Sequence, residues 1–181
     1  MTGLDRLKAF AHDDTFHVVV ESPRGAAVKL KYDAKLEAMI VSRPLNAGIT
    51  FPCDWGFVPS TKGPDGDPVD AAIWWDVATF PGVVIPCRAL AVVRVEQNAA
   101  EGSGRIRNDR ILAVPAEARR EAHLALTAVP LRVRQEFEQF LLATTALEGK
   151  DLRILGWDVA GAALALIRSS VTFSKTLTYS C

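Results

Sequence analysis

Asp65, Asp67 and Asp70 lie close together in the six-residue run DGDPVD at 65–70. Two unit charges about 4 Å apart repel by about 4 kcal/mol at an effective dielectric constant of about 20, so clustered carboxylates either protonate or bind a cation. Ligands that offer only oxygen favour Mg²⁺, Mn²⁺ or Ca²⁺ over zinc. The same Asp, Gly and Pro residues are also typical of a solvated turn. Taken alone, the run is compatible with both a metal-binding loop and a turn.

The run resembles the signature of the soluble family I inorganic pyrophosphatases. Other segments occur at the order and spacing which that family shows: VVESP at 19–23, VK at 28–29, SRP at 42–44, FPCDWGF at 51–57, PGVVI at 81–85, CR at 87–88, ILAVP at 111–115 and LGW at 155–157. The resemblance covers roughly residues 18–167. It implies an inorganic diphosphatase that hydrolyses pyrophosphate to two phosphates with Mg²⁺ as cofactor.

The resemblance also implies roles for the acidic residues of the run. By the family pattern, Asp65 and Asp70 ligate the activating Mg²⁺, and Asp67 lies beside the same metal centre as the proton acceptor for the attacking water. A carboxylate is an adequate acceptor, because water bound to a metal ionises far more easily than free water. Asp67 is therefore a candidate both for catalysis and for the metal site.

The cationic partners come from two segments that are predicted to be strands. Lys29 and Arg43 match the family's catalytic, phosphate-binding cations, and Glu21 matches an acid that helps to position the substrate-binding cluster. Because side chains alternate between the faces of a strand, we expect Lys29 and Arg43 to point into one cavity. Lys31 stands where the family has a glutamate associated with metal. It shares a strand face with Lys29, so we expect its ammonium to substitute electrostatically for one metal ion.

Other positions also depart from the family pattern, most of them by losing a donor, a carboxylate or a cation. They are Phe51 and Trp55 in place of two tyrosines, Asn108 in place of an aspartate, Arg110 in place of a lysine, and Thr144-Thr145 in place of a Tyr-Lys pair. Asp109 or Glu96 would restore a missing carboxylate if it projected into the cavity. These departures support a second hypothesis: a catalytically degenerate homologue that binds phosphate or metal, acts on another phosphate compound, or serves as an oligomer subunit.

The composition predicts one globular domain over residues 1–181. The 21 acidic and 21 basic residues cancel, which speaks against nucleic-acid binding and allows self-association, so we expect a homo-oligomer. No apolar run is long enough for a membrane span, and the N-terminal residues lack the apolar core of a signal peptide. We therefore expect a cytoplasmic protein that acts on a small-molecule substrate.

The hydrophobic pattern predicts strands first and helices last. Period-two alternation runs from about residue 16 to 95, with apolar strands at 71–76 and 83–96, and a further strand is predicted at 106–114. Helical sequence is predicted to begin at Pro115, and a longer helix is predicted between Pro130 and Gly149. A strand at 151–157 and a final helix capped by Asp158 come next. This order indicates an α+β fold, a barrel with helices packed outside. The resemblance narrows it to the five-stranded OB-like β-barrel of the inorganic pyrophosphatase fold.

Overall fold

The computed structural model describes residues 3–99, 104–120 and 129–172. The strands in this part of the chain are β1 (Phe10–His12), β2 (Thr15–Ser22), β3 (Val28–Asp33), β4 (Ala38–Pro44), β5 (Asp54–Phe57), β6 (Asp70–Ile73), β7 (Val84–Asn98), β8 (Arg105–Arg107), β9 (Arg110–Pro115) and β10 (Arg153–Val159). The helices are α1 (Leu131–Thr145) and α2 (Ala160–Ser170), and a single 3-10 turn covers Leu4–Arg6.

Five of these strands close into a ring in the order β2-β5-β6-β9-β7, and the pairing of β7 with β2 completes it. The pair β6–β9 is parallel and the other pairs of the ring are antiparallel. Strands β1, β8 and β10 extend the ring, whereas β3 and β4 form a separate hairpin. The predicted α+β fold with a five-stranded OB-like barrel is confirmed. The prediction of one domain over residues 1–181 stays a prediction.

Strand β2 shows how the sequence alternation builds the barrel. Phe16, Val18 and Val20 pack into one buried cluster together with Ile167 of α2. Val19 faces the other way and packs against Phe57. Both faces of β2 are covered by other parts of the protein. For this reason almost every residue of the strand is buried, and its sequence is a nearly continuous hydrophobic run. Of the helices in the described part of the chain, none has the length and apolar character needed to cross a membrane.

An aromatic cluster joins α1 to the barrel. The Phe51 ring centroid lies 5.2 Å from that of Phe140, and the Trp55 centroid lies 5.9 Å from those of Phe137 and Phe140. Phe51 and Trp55 are both buried. These two residues thus retain aromatic packing at positions where the family pattern has tyrosines, and they anchor the helix whose C-terminal end borders the site.

Two element predictions need correction near the site. The strand predicted at 106–114 is two strands, because Asn108 and Asp109 leave the ladder between β8 and β9. The apolar strand predicted at 71–76 is β6, which begins at Asp70 and ends at Ile73. The acidic loop therefore leads directly into the barrel wall, and Asp70 is both a loop residue and a strand residue.

The helix boundaries also differ from the prediction. Pro115 ends strand β9 and residues 116–120 form turns and bends, so no helix begins there; residues 121–128 lie outside the described residues. The prediction that Asp158 caps α2 was wrong. Asp158 belongs to β10, its carboxylate lies 3.1 Å from Arg94 Nε, and Val159 holds the N-cap position without a side-chain bond.

Candidate active site

A cavity of about 870 Å³ lies where the acidic loop, strand β3, the end of β7 and the segment after α1 meet. The predicted site residues that line it are Glu21, Lys29, Lys31, Asp65, Asp67 and Asp70. Carboxylates and ammonium groups from segments distant in sequence therefore share one space. This mixture suits a ligand that carries both negative charge and a bound cation.

Lys31 interacts with three acids of the cavity, Asp67, Glu21 and Asp70. Its Nζ donates to both oxygens of Asp67, at 3.0 and 3.1 Å. Partial burial alone would lower the pKa of Lys31, but the hydrogen bond and charge of Asp67, with the charges of Glu21 and Asp70, raise it overall. The ammonium therefore stays charged and neutralises acids that would otherwise repel one another.

The other two aspartates also have nitrogen partners. Asp70 Oδ2 lies 3.0 Å from Arg110 Nη1, and Asp65 Oδ2 accepts a hydrogen bond of 2.6 Å from Asn108 Nδ2. Arg110 in turn donates to the backbone and side-chain oxygens of Asn108. Loss of water within the cavity is the main cause that raises the pKa of Asp65, and the charge of Asp70 adds to it.

Glu21 is the most deeply buried acid of the cavity, with 7% of its surface exposed. Burial raises the pKa of Glu21 to about 7, although the backbone N–H of Tyr32, which donates to Oε1 at 2.8 Å, opposes the rise. The nearby charge of Asp70 raises it further. A carboxyl group with a pKa near neutrality can respond to a cation in the cavity by releasing its proton.

Lys29 and Arg43 face each other across the β3–β4 hairpin, but only Lys29 lines the cavity. Arg43 Nη2 donates to the Thr144 carbonyl oxygen at 2.8 Å, and its Nε lies 3.2 Å from Glu148 Oε2. The expectation that both side chains point into one cavity is thus corrected for Arg43. Its guanidinium holds the C-terminal end of α1, where helix carbonyl groups attract a cation.

The sequence matches the family model of the inorganic pyrophosphatases over residues 18–175. This chain belongs to the inorganic pyrophosphatase family. It is 33% identical over 173 residues to the inorganic pyrophosphatase of Nostoc sp., covering 95% of this chain and 99% of that protein. It is likewise 33% identical over 166 residues to the enzyme of Thermus thermophilus, covering 90% and 91%.

Solved structures give the same result. The crystal structure of the Thermus thermophilus inorganic pyrophosphatase superposes with a TM-score of 0.85 at 31% identity, covering 94% of this chain and 97% of that one. The Coxiella burnetii inorganic pyrophosphatase superposes with a TM-score of 0.81 at 31% identity, covering 91% and 98%. The family and the hydrolase class predicted from the sequence are confirmed, and pyrophosphatases of this family are metal-dependent.

This pyrophosphatase does not restore its missing carboxylates from neighbouring positions. Glu96 Oε1 lies 2.6 Å from Arg105 Nε, and Asp109 lies 2.7 Å from Arg107 Nη2 while also accepting from the Val95 N–H. Neither acid lines the cavity. Both neutralise arginines of the β8 segment, and the adjacent Gln97 and Asn108 present amides to the cavity in their place.

The donor set fits one divalent cation better than a cluster of them. No group of three or more His, Cys, Asp or Glu residues converges on a metal position among the described residues. Mg²⁺, however, commonly uses one or two carboxylates and completes its shell with water and substrate phosphate oxygens. Asp65 and Asp70 both line the cavity, and the charge of Asp70 raises the pKa of Asp65. The two carboxylates are therefore close enough to share such an ion.

Among the cavity residues that the sequence analysis did not indicate are Gln97 and Lys150. Lys150 adds a cation on the side of α1 where the uncharged Thr144 and Thr145 bring none. The two threonine hydroxyl groups donate to the carbonyl oxygens of Phe140 and Leu141 within the helix. The signal for Lys150 was Gly149, which ends the turn after α1 with φ +67°. Gln97 carries no such signal, since its direction depends on the register of β7.

Proposed function

We propose that this protein hydrolyses inorganic pyrophosphate to two phosphates in a Mg²⁺-dependent reaction. The observation that carries the proposal is the convergence of Asp65, Asp67 and Asp70 with Lys29 in one cavity of a chain that belongs to this family. Phosphoanhydride hydrolysis needs neutralised phosphate oxygens, an oriented water and cations that hold the phosphates in line. The cavity offers residues for each of these tasks.

Asp65 and Asp70 would hold the Mg²⁺ ion, with Asp67 beside it. When bound, the ion would neutralise phosphate oxygens and lower the pKa of an attacking water. Asp67 accepts the proton of that water, and Lys31, which donates to both Asp67 oxygens, orients the carboxylate for this step. Glu21 fixes the position of β3 through the Tyr32 N–H and so positions the substrate-binding residues.

Lys29 and Arg43 are proposed to attract the phosphate groups in different ways. Lys29 lines the cavity and can donate directly to a phosphate oxygen. Arg43 stays bonded to the Thr144 carbonyl oxygen and to Glu148. It does not line the cavity, so its positive charge attracts the phosphate groups without direct contact. A lost transition-state contact typically costs about 3 to 4 kcal/mol, or a factor of roughly 10² to 10³ in rate, so this member is expected to be slower than relatives with the full residue set.

The test is phosphate release from pyrophosphate across a Mg²⁺ titration. Asp67→Asn removes the proton acceptor and keeps the shape, so it should lower turnover by at least about 10²-fold. Asp14→Asn is the control, because Asp14 is a surface acid paired with Arg168 away from the cavity. Equal turnover in wild type and Asp67→Asn would mean that the measured activity belongs to a contaminant.

A second candidate function is binding of phosphate or metal without turnover. The observation that favours it is the nitrogen partner on each of Asp65, Asp67 and Asp70. Calorimetry with inorganic phosphate in the presence of Mg²⁺, combined with the phosphate-release assay, separates the two functions, because a degenerate binder gives a binding isotherm and leaves pyrophosphate intact.

We further propose that the protein works in the cytoplasm as a homo-oligomer. Zero net charge leaves little repulsion between copies, and the chain exposes large apolar side chains such as Phe80, Leu147 and Val159. Light scattering across a dilution series tests the oligomer: a constant single-chain mass would refute it.

A further inference from the structure

The segment that follows α1 is anchored to the end of β7. The Asn98 backbone N–H donates to the Lys150 carbonyl oxygen at 2.7 Å, and Asn98 Nδ2 donates to the Gly149 carbonyl oxygen at 3.0 Å. Gly149 turns the chain in the left-handed region, where other residues are strained. The backbone of Lys150 is therefore held at the cavity wall by bonds that do not involve its own side chain.

The Lys150 ammonium has no hydrogen bond or ion pair among the described residues, although the side chain is half-buried and lines the cavity. Burial lowers the pKa of Lys150, and the charges of Lys29, Arg110 and Arg43 lower it further. Several cations thus act on one another across this part of the site. Cations gathered in this way need an anion, for the same reason that gathered carboxylates need a cation.

The neighbouring carboxylates already have other partners. Asp70, whose charge reaches Lys150, is paired with Arg110, and Glu148 is paired with Arg43. An ammonium that finds its nearby acids engaged is available to a ligand. A ligand with several anionic oxygens, reaching from the Asp65–Asp70 loop to the end of α1, would satisfy both walls of the cavity.

We propose that the Lys150 ammonium binds a phosphoryl group of the substrate, together with Lys29. This inference rests on the proposed pyrophosphate hydrolysis and deepens it, since it names the residue that supplies positive charge on the wall formed by the segment after α1. Lys150 acts as a point charge with rotatable donors, so it can follow a phosphate group from substrate to product. Pyrophosphate and its product, inorganic phosphate, would both meet this side chain.

The test measures binding of inorganic phosphate by calorimetry in the presence of Mg²⁺, where no turnover takes place. Lys150→Gln keeps most of the side-chain length and removes the charge, so the dissociation constant should rise about tenfold, as expected for a hydrogen bond to a charged group. Lys150→Arg should restore affinity to within about threefold of wild type. Lys35→Gln is the matched control, because Lys35 lies on the same cavity but on the exposed β3–β4 turn.

Wild-type affinity in Lys150→Gln, with an unchanged unfolding temperature, would overturn the inference. So would an equal loss in Lys35→Gln, because the effect would then be a general one of charge. Pyrophosphate hydrolysis by the wild type is measured on the same samples. If the wild type does not hydrolyse pyrophosphate but Lys150→Gln raises the phosphate dissociation constant tenfold, the proposed function fails and the Lys150 site stands. If the wild type is active and Lys150→Gln binds phosphate as the wild type does, the proposed function stands and the Lys150 site fails.

Discussion

At the scale of single residues, nitrogen donors within the cavity balance the negative charge of its clustered aspartates. Clustered carboxylates can protonate or bind metal, but here Lys31, Asn108 and Arg110 supply a third solution, in which nitrogen donors bond to Asp67, Asp65 and Asp70 respectively. An ammonium held 3.0 Å from a carboxylate neutralises charge as a bound cation does, without leaving when the solution is diluted. Fewer metal ions are then needed for the same balance.

This reasoning predicts the effect of Lys31→Glu on metal binding. The variant removes an ammonium and adds a carboxylate beside Asp67, so it should bind one more Mn²⁺ per chain than wild type, measured by equilibrium dialysis. Lys35→Glu places the same charge change on the exposed turn and should bind as wild type does. An unchanged number of bound ions in Lys31→Glu would end the idea that Lys31 replaces a metal.

Glu21 predicts a dependence of stability on pH. In the folded chain its carboxyl keeps a proton up to about pH 7, whereas an unperturbed glutamate ionises near pH 4.5. The unfolded state therefore loses its proton first, and Glu21 costs stability as the pH rises from about 4.5 to about 7. Glu21→Gln cannot ionise, so it should stabilise the fold by up to about 3 kcal/mol at pH 8 and by much less at pH 5.

Urea unfolding at both pH values, in the presence of a chelator, measures this difference. Glu117→Gln is the control, because Glu117 is an exposed acid that does not line the cavity. A stability gain in Glu21→Gln that is equal at pH 5 and pH 8 would show that the carboxyl is ionised throughout.

The sequence indicated the loop carboxylates and Lys29 because their types and spacing are local properties. It did not indicate which nitrogen each carboxylate meets, since Asn108 and Arg110 reach the loop across the β6–β9 pair. Arg43 was misjudged for a related reason. Strand alternation gives the face of a side chain, but Glu148 and the Thr144 carbonyl group decide where a long guanidinium ends.

At the scale of elements, the apolar residues of β2 and the long apolar run of β7 were sufficient to predict these two barrel strands. The division between β8 and β9 could not be predicted from the sequence pattern, because the Val95 N–H donates to the Asp109 carboxylate at that point and not to a strand carbonyl group. Asp158 followed the composition of a helix cap, yet its ion pair with Arg94 keeps it in β10. Tertiary partners thus override local preference at both positions.

The contact between β2 and β5 gives a prediction about glycine. At Gly56, a Cβ atom would overlap the Val19 carbonyl oxygen of the neighbouring strand. Gly56→Ala should therefore destabilise the fold by about 3 kcal/mol in urea unfolding. Gly161→Ala is the matched control, because that glycine lies in α2 with open space around its Cβ position, and alanine should be neutral or stabilising there by up to about 1 kcal/mol. Equal effects would mean that β2 and β5 separate freely.

At the scale of the whole molecule, acidic and basic residues are equal in number, and the cavity likewise contains both acids and cations. The chain has no net charge, and the cavity sets acids from the loop against cations from β3, β9 and the segment after α1. Because nitrogen donors bond to each of the three loop aspartates, we expect folding and metal binding to be largely independent. Metal then serves the reaction more than the fold, in contrast to sites whose ligands repel one another until a metal binds.

Removal of Mg²⁺ should accordingly change the unfolding temperature little. Binding at a concentration near the dissociation constant contributes less than about 1 kcal/mol, which is about 3 °C for a chain of this size. Arg110→Met leaves Asp70 without its cation, so this variant should unfold at a lower temperature in chelator and recover part of the loss in Mg²⁺. Arg153→Met removes an exposed arginine outside the cavity and should show no Mg²⁺ effect. A wild-type protein that loses more than about 10 °C on chelation would contradict this independence, because a loss of that size corresponds to about 3 kcal/mol of repulsion which only a metal could have relieved.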